Sequence, residues 1–115
     1  MGNRAVIVSY DTTKENANKK IGIYVHWYGS KNHIKIFLRK AKMRNIRTID
    51  EDPQYFWARF IQTVTDMITL RNKEYETGVG VGIVSQLDTD NGDNGVYYID
   101  NKFKIVKQTD GSEFN

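Results

Sequence analysis

Two stretches of helical periodicity stand next to each other in the middle of the chain, between short β-branched runs, and they limit the possible folds most. In the first, apolar residues recur at the i, i+3, i+4, i+7 spacing, at Ile34, Phe37, Leu38 and Ala41. In the second, the stripe consists of Phe56, Phe60, Val64, Met67 and Ile68, with Trp57 and Ile61 beside it. Because both helices would be amphipathic, each must bury one face against a common core.

Local signals mark the ends of both helices. Ser30 is a candidate N-cap for the first helix, which should run to about Arg44. Asp52 can cap the second helix, and Pro53 suits its first position because proline lacks the amide hydrogen that would be unpaired there. The polar stretch 71–77 should end this helix.

Five short runs have the composition of β-strands, at residues 5–10, 21–28, 78–86, 96–99 and 103–107. The first two flank a polar loop and should pair antiparallel, and a tight turn at 100–102 joins the last two. The order ββααβββ offers few right-handed βαβ units. We therefore predict a single α+β domain, 1–115, with an antiparallel sheet of about five strands and a frayed tail at 109–115.

Charge is divided unevenly along the sequence. Residues 1–49 hold 11 Lys/Arg against 2 Asp/Glu, whereas residues 50–115 hold 6 against 12. No acidic residue occurs between Glu15 and Asp50. The first helix would carry several cations with no glutamate to offset their repulsion, which favours an anionic partner.

Composition excludes several classes of site. The chain has no Cys, so disulfides, thiolate metal sites and Cys nucleophiles are ruled out. It has no long apolar run, and we expect a cytoplasmic protein with no cofactor and no membrane contact. Motifs for nucleophilic catalysis are missing, and His26 and His33 belong to different elements. We therefore expect a protein that is not an enzyme.

A strand-to-helix corner contains the first candidate ligand residues. His26, Trp27 and Lys31 surround a flexible glycine at a helix N-terminus, where a phosphate and a stacked base can both be held. Alternatively, His26 and Trp27 simply alternate between core and surface, as strand residues do.

Glycine and asparagine dominate two later segments. Glycines at 78, 80 and 82 do not form a phosphate-loop motif, but they would leave one strand face open to close approach by a helix, another backbone or a flat ligand. The 88–95 loop lacks the glycine and glutamate that a calcium-binding EF-hand needs, so no metal site is predicted. Its Asn-Gly pairs favour turns with positive φ, while Asn91 and Asn94 are candidates for binding ribose or base edges.

Four sequence segments together resemble a known family. They are the opening Gly-Asn-Arg-Ala-Val-Ile, the Gly-Ile-Tyr-Val-His-Trp run with its following glycine, Trp-Ala-Arg in the second helix, and Asp-Asn-Gly-Asp-Asn-Gly-Val-Tyr before a final Ile-Val strand. The chain is similar to the phage Thoeris anti-defence sponges, which sequester immune signals of the cyclic ADP-ribose type. The resemblance implies a non-enzymatic phage protein that binds cyclic nucleotides in pockets near subunit interfaces, as a homodimer or an assembly of dimers.

The resemblance also implies ligand residues. Arg59 matches directly, Lys31 stands where the family tends to have Arg, and Lys107 fits the expected cation after the last Ile-Val, with Gln108 as the competing alignment. The segment 66–77 departs from the family pattern. Under the resemblance we expect no nucleic-acid partner; the alternative is an anti-CRISPR-like or small nucleic-acid-binding protein that uses the basic first helix.

Overall fold

The computed structural model describes residues 2–72 and 78–115, and its elements confirm the order ββααβββ of a single α+β domain. Their bounds are β1 Ala5–Ser9, β2 Ile21–Val25, α1 Lys31–Met43, α2 Pro53–Asn72, β3 Val79–Ile83, β4 Val96–Ile99 and β5 Ile105–Thr109. Two short 3₁₀ helices follow β3 and β5, at Val84–Gln86 and Ser112–Phe114. Helix α2 is described as far as Asn72, and the remainder of the predicted helix end and of the segment 66–77, residues 73–77, lies outside the described residues.

The sheet is mixed, so the prediction of an antiparallel sheet was wrong for one strand pair. The strand order is β3-β2-β1-β4-β5, and β1 pairs antiparallel with β2 but parallel with β4, where Val6 lies opposite Val96. The cause is the connection 84–95, which carries the chain from the end of β3, at one edge of the sheet, past β2 and β1 to the start of β4. As a result β4 starts at the same end as β1. The short turn after β4 then makes β5 antiparallel to it.

Both helices start where predicted. Pro53 is the first residue of α2, and the Asp52 carboxylate accepts a hydrogen bond from the Tyr55 amide at 3.2 Å. Ser30 occupies the N-cap position of α1, but its hydroxyl lies 2.6 Å from Nδ1 of His33 and caps no backbone amide. The second helix is thus capped by a side chain, whereas the first is held mainly by its packing.

The main core lies between the helices and one face of the sheet. The predicted α1 stripe is fully buried, and so are Phe56, Phe60, Val64 and Ile68 of α2. They pack on alternate residues of the central strands: Ala5, Ile7, Ile23, Val25, Tyr97 and Ile99. Burying each large side chain stabilises the fold by about 1.5–3 kcal/mol, so this layer holds α1 and α2 in fixed positions over the sheet.

A smaller core covers the opposite face of the sheet and includes the C-terminus. Val6, Val8, Val96 and Tyr98 are buried there, and Phe114 stacks on Tyr98 with ring centroids 6.5 Å apart. The Glu113 carboxylate accepts hydrogen bonds from the hydroxyls of Tyr98 and Thr109. The tail 109–115 therefore does not fray as predicted, because its aromatic residue and its carboxylate both have partners on the sheet.

Candidate functional site

The seven predicted ligand residues do not converge on one site in this chain. Lys31 begins α1, while Arg59 lines a cleft together with Arg44, at the far end of that helix. At about 1.5 Å per helical residue, Lys31 and Arg44 lie about 20 Å apart along the axis. The other predicted residues lie near the end of β2, in the 88–95 loop and on β5. One small ligand bound to a single chain cannot contact all of them.

The cleft between the end of α1 and the middle of α2 is the first candidate site. Its volume is about 420 Å³, within the range of small-molecule pockets. The polar groups that line it are Arg44, Asn45, Tyr55, Arg59, Gln62, Thr63 and Asp66. On α2 the residues at 55, 59, 62 and 66 follow the i, i+4, i+7, i+11 spacing of one helix face. Asn45, directly after the C-cap residue Arg44, has a φ of 58°, the left-handed conformation that commonly follows a helix end.

Charge within this cleft is only partly neutralised. The Arg44 guanidinium donates to the Asp66 carboxylate at 3.0 Å and to the Thr63 hydroxyl at 3.2 Å. Among the described residues, Arg59 forms no ion pair. Its guanidinium lies 4.5 Å from the Tyr55 ring centroid and donates to the Tyr55 hydroxyl at 2.9 Å. This hydrogen bond and the adjacent charge lower the pKa of Tyr55. The cleft therefore keeps an excess positive charge beside an exposed ring.

The end of β2 forms a separate aromatic corner. His26 places Nδ1 2.8 Å from the Tyr24 hydroxyl, and its ring lies edge-on to Trp27 with centroids 5.0 Å apart. Trp27 is 44% exposed. A Cβ added to Gly80, on the neighbouring strand, would meet no atom within 4 Å. Part of the glycine strand is thus open as predicted, next to a ring that could stack on a flat ligand.

Asn91 shapes its own loop, and Asn94 fastens that loop to the N-terminal segment. Asn91 is buried, its side-chain NH₂ donates to the carbonyls of Asp88 and Gly95, and its Oδ1 accepts from the amides of Asp93 and Gly95. The Asn94 side-chain NH₂ donates to the Arg4 carbonyl and to Oδ1 of Asn3. Every polar atom of the Asn91 side chain is therefore engaged, which argues against its predicted contact with ribose.

Charged residues tie the same loop to the N-terminal segment. The Arg4 Nε lies 2.7 Å from the Asp93 carboxylate, and the Arg4 guanidinium also lies 3.6 Å from the carboxylate of Asp88. The hydrogen bond from the Arg4 side chain is the largest cause of a lowered pKa at Asp93. A group whose pKa is lower in the folded state stabilises the fold above its unfolded pKa and loses this effect as the pH falls.

We therefore expect Asp93→Asn to be less stable than the wild type at pH 7, with the gap closing as the pH falls through about 4 towards 3. Protonation removes the same ion pair from the wild type, so the two proteins should converge in acid. Urea unfolding at a series of pH values measures the difference. A gap that stays constant from pH 7 to about 3 would show that the Asp93 charge does not stabilise the loop.

Lys107 lies away from both of these regions. On β5 it pairs across the strands with Tyr98, and its ammonium is 4.2 Å from the Tyr98 ring centroid. The side chain is exposed on the sheet face opposite the helices. This cation–π contact gives Lys107 a structural role in covering the smaller core.

A second depression is less suited to an anionic ligand. It has a volume of about 330 Å³ beside the carboxyl end of β1, with Trp57 in its wall. Its two lysines, Lys19 and Lys20, are balanced by Asp11 and Asp50, and Lys20 is paired with Asp11 at 2.9 Å. With no net charge it would not concentrate phosphates, unlike the cleft at Arg59.

Sequence reasoning identified Arg59 but missed the residues around it. Arg44 was considered only as a helix end and as one cation of the basic segment, and Tyr55 and Gln62 were not considered. The signal available in the sequence was the polar stripe at 55, 59, 62 and 66 of α2. Folding of a small domain does not require arginine, tyrosine and glutamine to lie in line on one helix face, so this alignment could have indicated a binding surface. That α1 ends beside this stripe could be learned only from the fold.

Comparison with known proteins places the chain in no family. Within residues 2–72 and 78–115, no three His, Cys, Asp or Glu side chains are grouped so that they could hold a metal ion. Neither of the described helices is both long and apolar enough to cross a membrane. The chain matches no protein-family model, no curated protein and no solved structure.

Proposed function

We propose that this chain binds a phosphate-bearing cyclic nucleotide without converting it, and thereby sequesters an immune signal in the cytoplasm of an infected host cell. The observation that carries the proposal is the Arg59 guanidinium, which forms no ion pair with the described residues and lies beside the Tyr55 ring in a cleft of about 420 Å³. Arginine holds phosphate through paired hydrogen bonds, and an open cleft of this volume can accommodate a nucleotide on its surface. The resemblance to the Thoeris anti-defence sponges supports a ligand such as glycocyclic ADP-ribose.

The groups that line the cleft are suited to binding. Gln62 and Asn45 supply amides that can hydrogen-bond to a ribose or a base edge. The Thr63 hydroxyl donates to the Arg59 carbonyl at 2.9 Å and accepts from Arg44, so it is not held as a nucleophile. The Asp66 carboxylate is paired with Arg44, and neither histidine lines the cleft. Tyr55 has a lowered pKa, but its hydroxyl accepts the Arg59 hydrogen bond, and no histidine or unpaired carboxylate among the described lining residues could exchange a proton with it. We therefore propose that the protein is not an enzyme.

A homodimer is part of the same proposal. Lys31 and the Arg59 cleft are too far apart in one chain to share a small ligand, but two subunits could bring them together at an interface. Strand β3 is an edge of the sheet, and it presents Val81, which is 57% exposed, next to Ile83 and Ile21. Unpaired edge strands with exposed apolar side chains favour pairing with another chain. This edge is the surface that we propose for self-association.

Native mass spectrometry tests the proposal. The protein is incubated separately with glycocyclic ADP-ribose and with cyclic di- and trinucleotides, and then either sprayed intact or denatured and chromatographed. We expect a dimer or a multiple of it, carrying one of these ligands, which is released unchanged on denaturation. Product formed in catalytic amounts would identify an enzyme instead. Failure to retain any of the ligands would refute sequestration of these signals.

A further inference from the structure

Four cations form a straight row on the outer face of α1. Lys31, Lys35, Arg39 and Lys42 are all exposed, and at about 100° per residue they lie within about 80° of one another around the helix axis. They span about 16 Å along that axis. The opposite face of the helix is buried in the core, so the row points away from the domain. It is not part of the cleft that contains Arg59.

The row has no counter-charge in the described part of the chain. Helix α1 contains no Asp or Glu, so the i, i+4 neighbours within the row repel one another. The ion pairs formed by the described residues involve Arg4, Lys20, Arg44 and Arg47, and none of them includes a cation of the row. Other cations, such as Lys19, Lys102 and Lys104, also form no ion pair with the described residues, but they lie elsewhere on the chain. The row is distinct because it places four unmatched cations side by side on one helix face, where they can meet an external anion.

The side chains around the row identify the kind of anion. A protein-binding surface is normally centred on buried aromatic or aliphatic anchors, and a membrane-binding helix inserts an apolar face. The exposed face of α1 offers neither along the row, where the neighbouring residue Asn32 is polar, and its exposed Met43 lies beyond the last cation. It also has no exposed aromatic ring on which an unpaired base could stack. Contacts with a regularly charged phosphate backbone fit this surface best.

We propose that the α1 row binds the phosphate backbone of duplex nucleic acid without sequence preference. Backbone contacts by Lys and Arg position a protein on a duplex but do not read its bases. Lys31 belongs to both proposals, but Lys35, Arg39 and Lys42 take no part in nucleotide sequestration, so duplex binding by the row does not depend on it. It also goes beyond the family resemblance, under which no nucleic-acid partner is expected.

The test is a titration of the whole protein with short labelled DNA duplexes of two unrelated sequences, from about 50 to about 200 mM salt. Four phosphate contacts predict a slope of log affinity against log salt near −3.6, equal for both sequences. In the triple variant Lys35→Gln/Arg39→Gln/Lys42→Gln the slope should fall to about −0.9 because one contact remains. The control Lys19→Gln/Lys102→Gln/Lys104→Gln loses the same charge from other exposed positions and should keep a slope near the wild-type value.

Each other outcome overturns the proposal. Equal losses in both triple variants would show that net charge acts, rather than the row. A strong preference for one duplex sequence would show base readout. Binding of polyglutamate that depends on the row, without duplex binding, would identify an acidic protein as the partner. Thermal unfolding confirms that the variants fold, and the α1 variant should be at least as stable as the wild type because like-charge repulsion is removed.

Discussion

Gly95→Ala is expected to destabilise the protein by about 3 kcal/mol or more, the scale of strained backbone positions and buried clashes. Gly95 has a φ of +68°, where L-residues are strained. A Cβ at this position would lie 2.0 Å from the Thr109 carbonyl oxygen and 2.9 Å from Cα of Asp110. Both are backbone atoms at the end of β5, which lies opposite the start of β4. The clash therefore cannot be relieved by rotating a side chain.

Gly80→Ala is the matched control. A Cβ at Gly80 would meet no atom within 4 Å, and Gly80 is not among the glycines with positive φ. We expect a change within about 0.5 kcal/mol, or a slight gain because alanine restricts the unfolded chain. Urea denaturation of both variants gives the two free energies. Similar values for Gly95→Ala and Gly80→Ala would contradict the left-handed turn before β4.

The parts of the fold that could be predicted depend on local sequence. The cap at Asp52, Pro53 at the helix start and the apolar stripes of both helices are set by residues within a few positions of one another. The Asn-Gly pairs likewise predicted turns with positive φ, and Gly92 and Gly95 have φ of 77° and 68°. Short-range signals of this kind fix the type of each element but not its neighbours in the sheet.

The parts that could not be predicted depend on contacts between distant segments. The parallel pairing of β1 with β4 follows from the route of the connection 84–95, which no local pattern encodes. The tail 109–115 is held by its contact with Tyr98, and the side chain of Asn91 forms its hydrogen bonds within its own loop. Likewise, Arg59 became part of a definable cleft only when the fold placed Arg44 beside it. Residue type alone therefore indicated binding chemistry without showing which side chains are free to bind.

Arg44→Ala/Arg59→Ala is expected to weaken nucleotide binding by about a hundredfold or more. Each charge-assisted hydrogen bond to a phosphate contributes about 1.5–3 kcal/mol, and Arg59→Ala alone should cost about 1–3 kcal/mol. Removing Arg44 has a second effect, because the Asp66 carboxylate loses its partner and then repels the phosphates. Both changes are at exposed positions, so the free energy of unfolding should change little.

Arg47→Ala is the control for this double variant. The Arg47 guanidinium also lies over the Tyr55 ring, at 4.9 Å from its centroid, but it is paired with Asp52 and does not line the cleft. Its removal subtracts one positive charge from the same neighbourhood, and the ligand affinity should stay within about twofold of wild type because surface ion pairs contribute little.

Isothermal titration with the ligand retained in native mass spectrometry measures the affinities, and thermal unfolding checks the fold. An equal loss in Arg47→Ala would mean that arginines act by supporting Tyr55. Early unfolding of Arg59→Ala with intact affinity would mean that Arg59 is structural and that the ligand binds elsewhere, with the Trp27 corner the next surface to test.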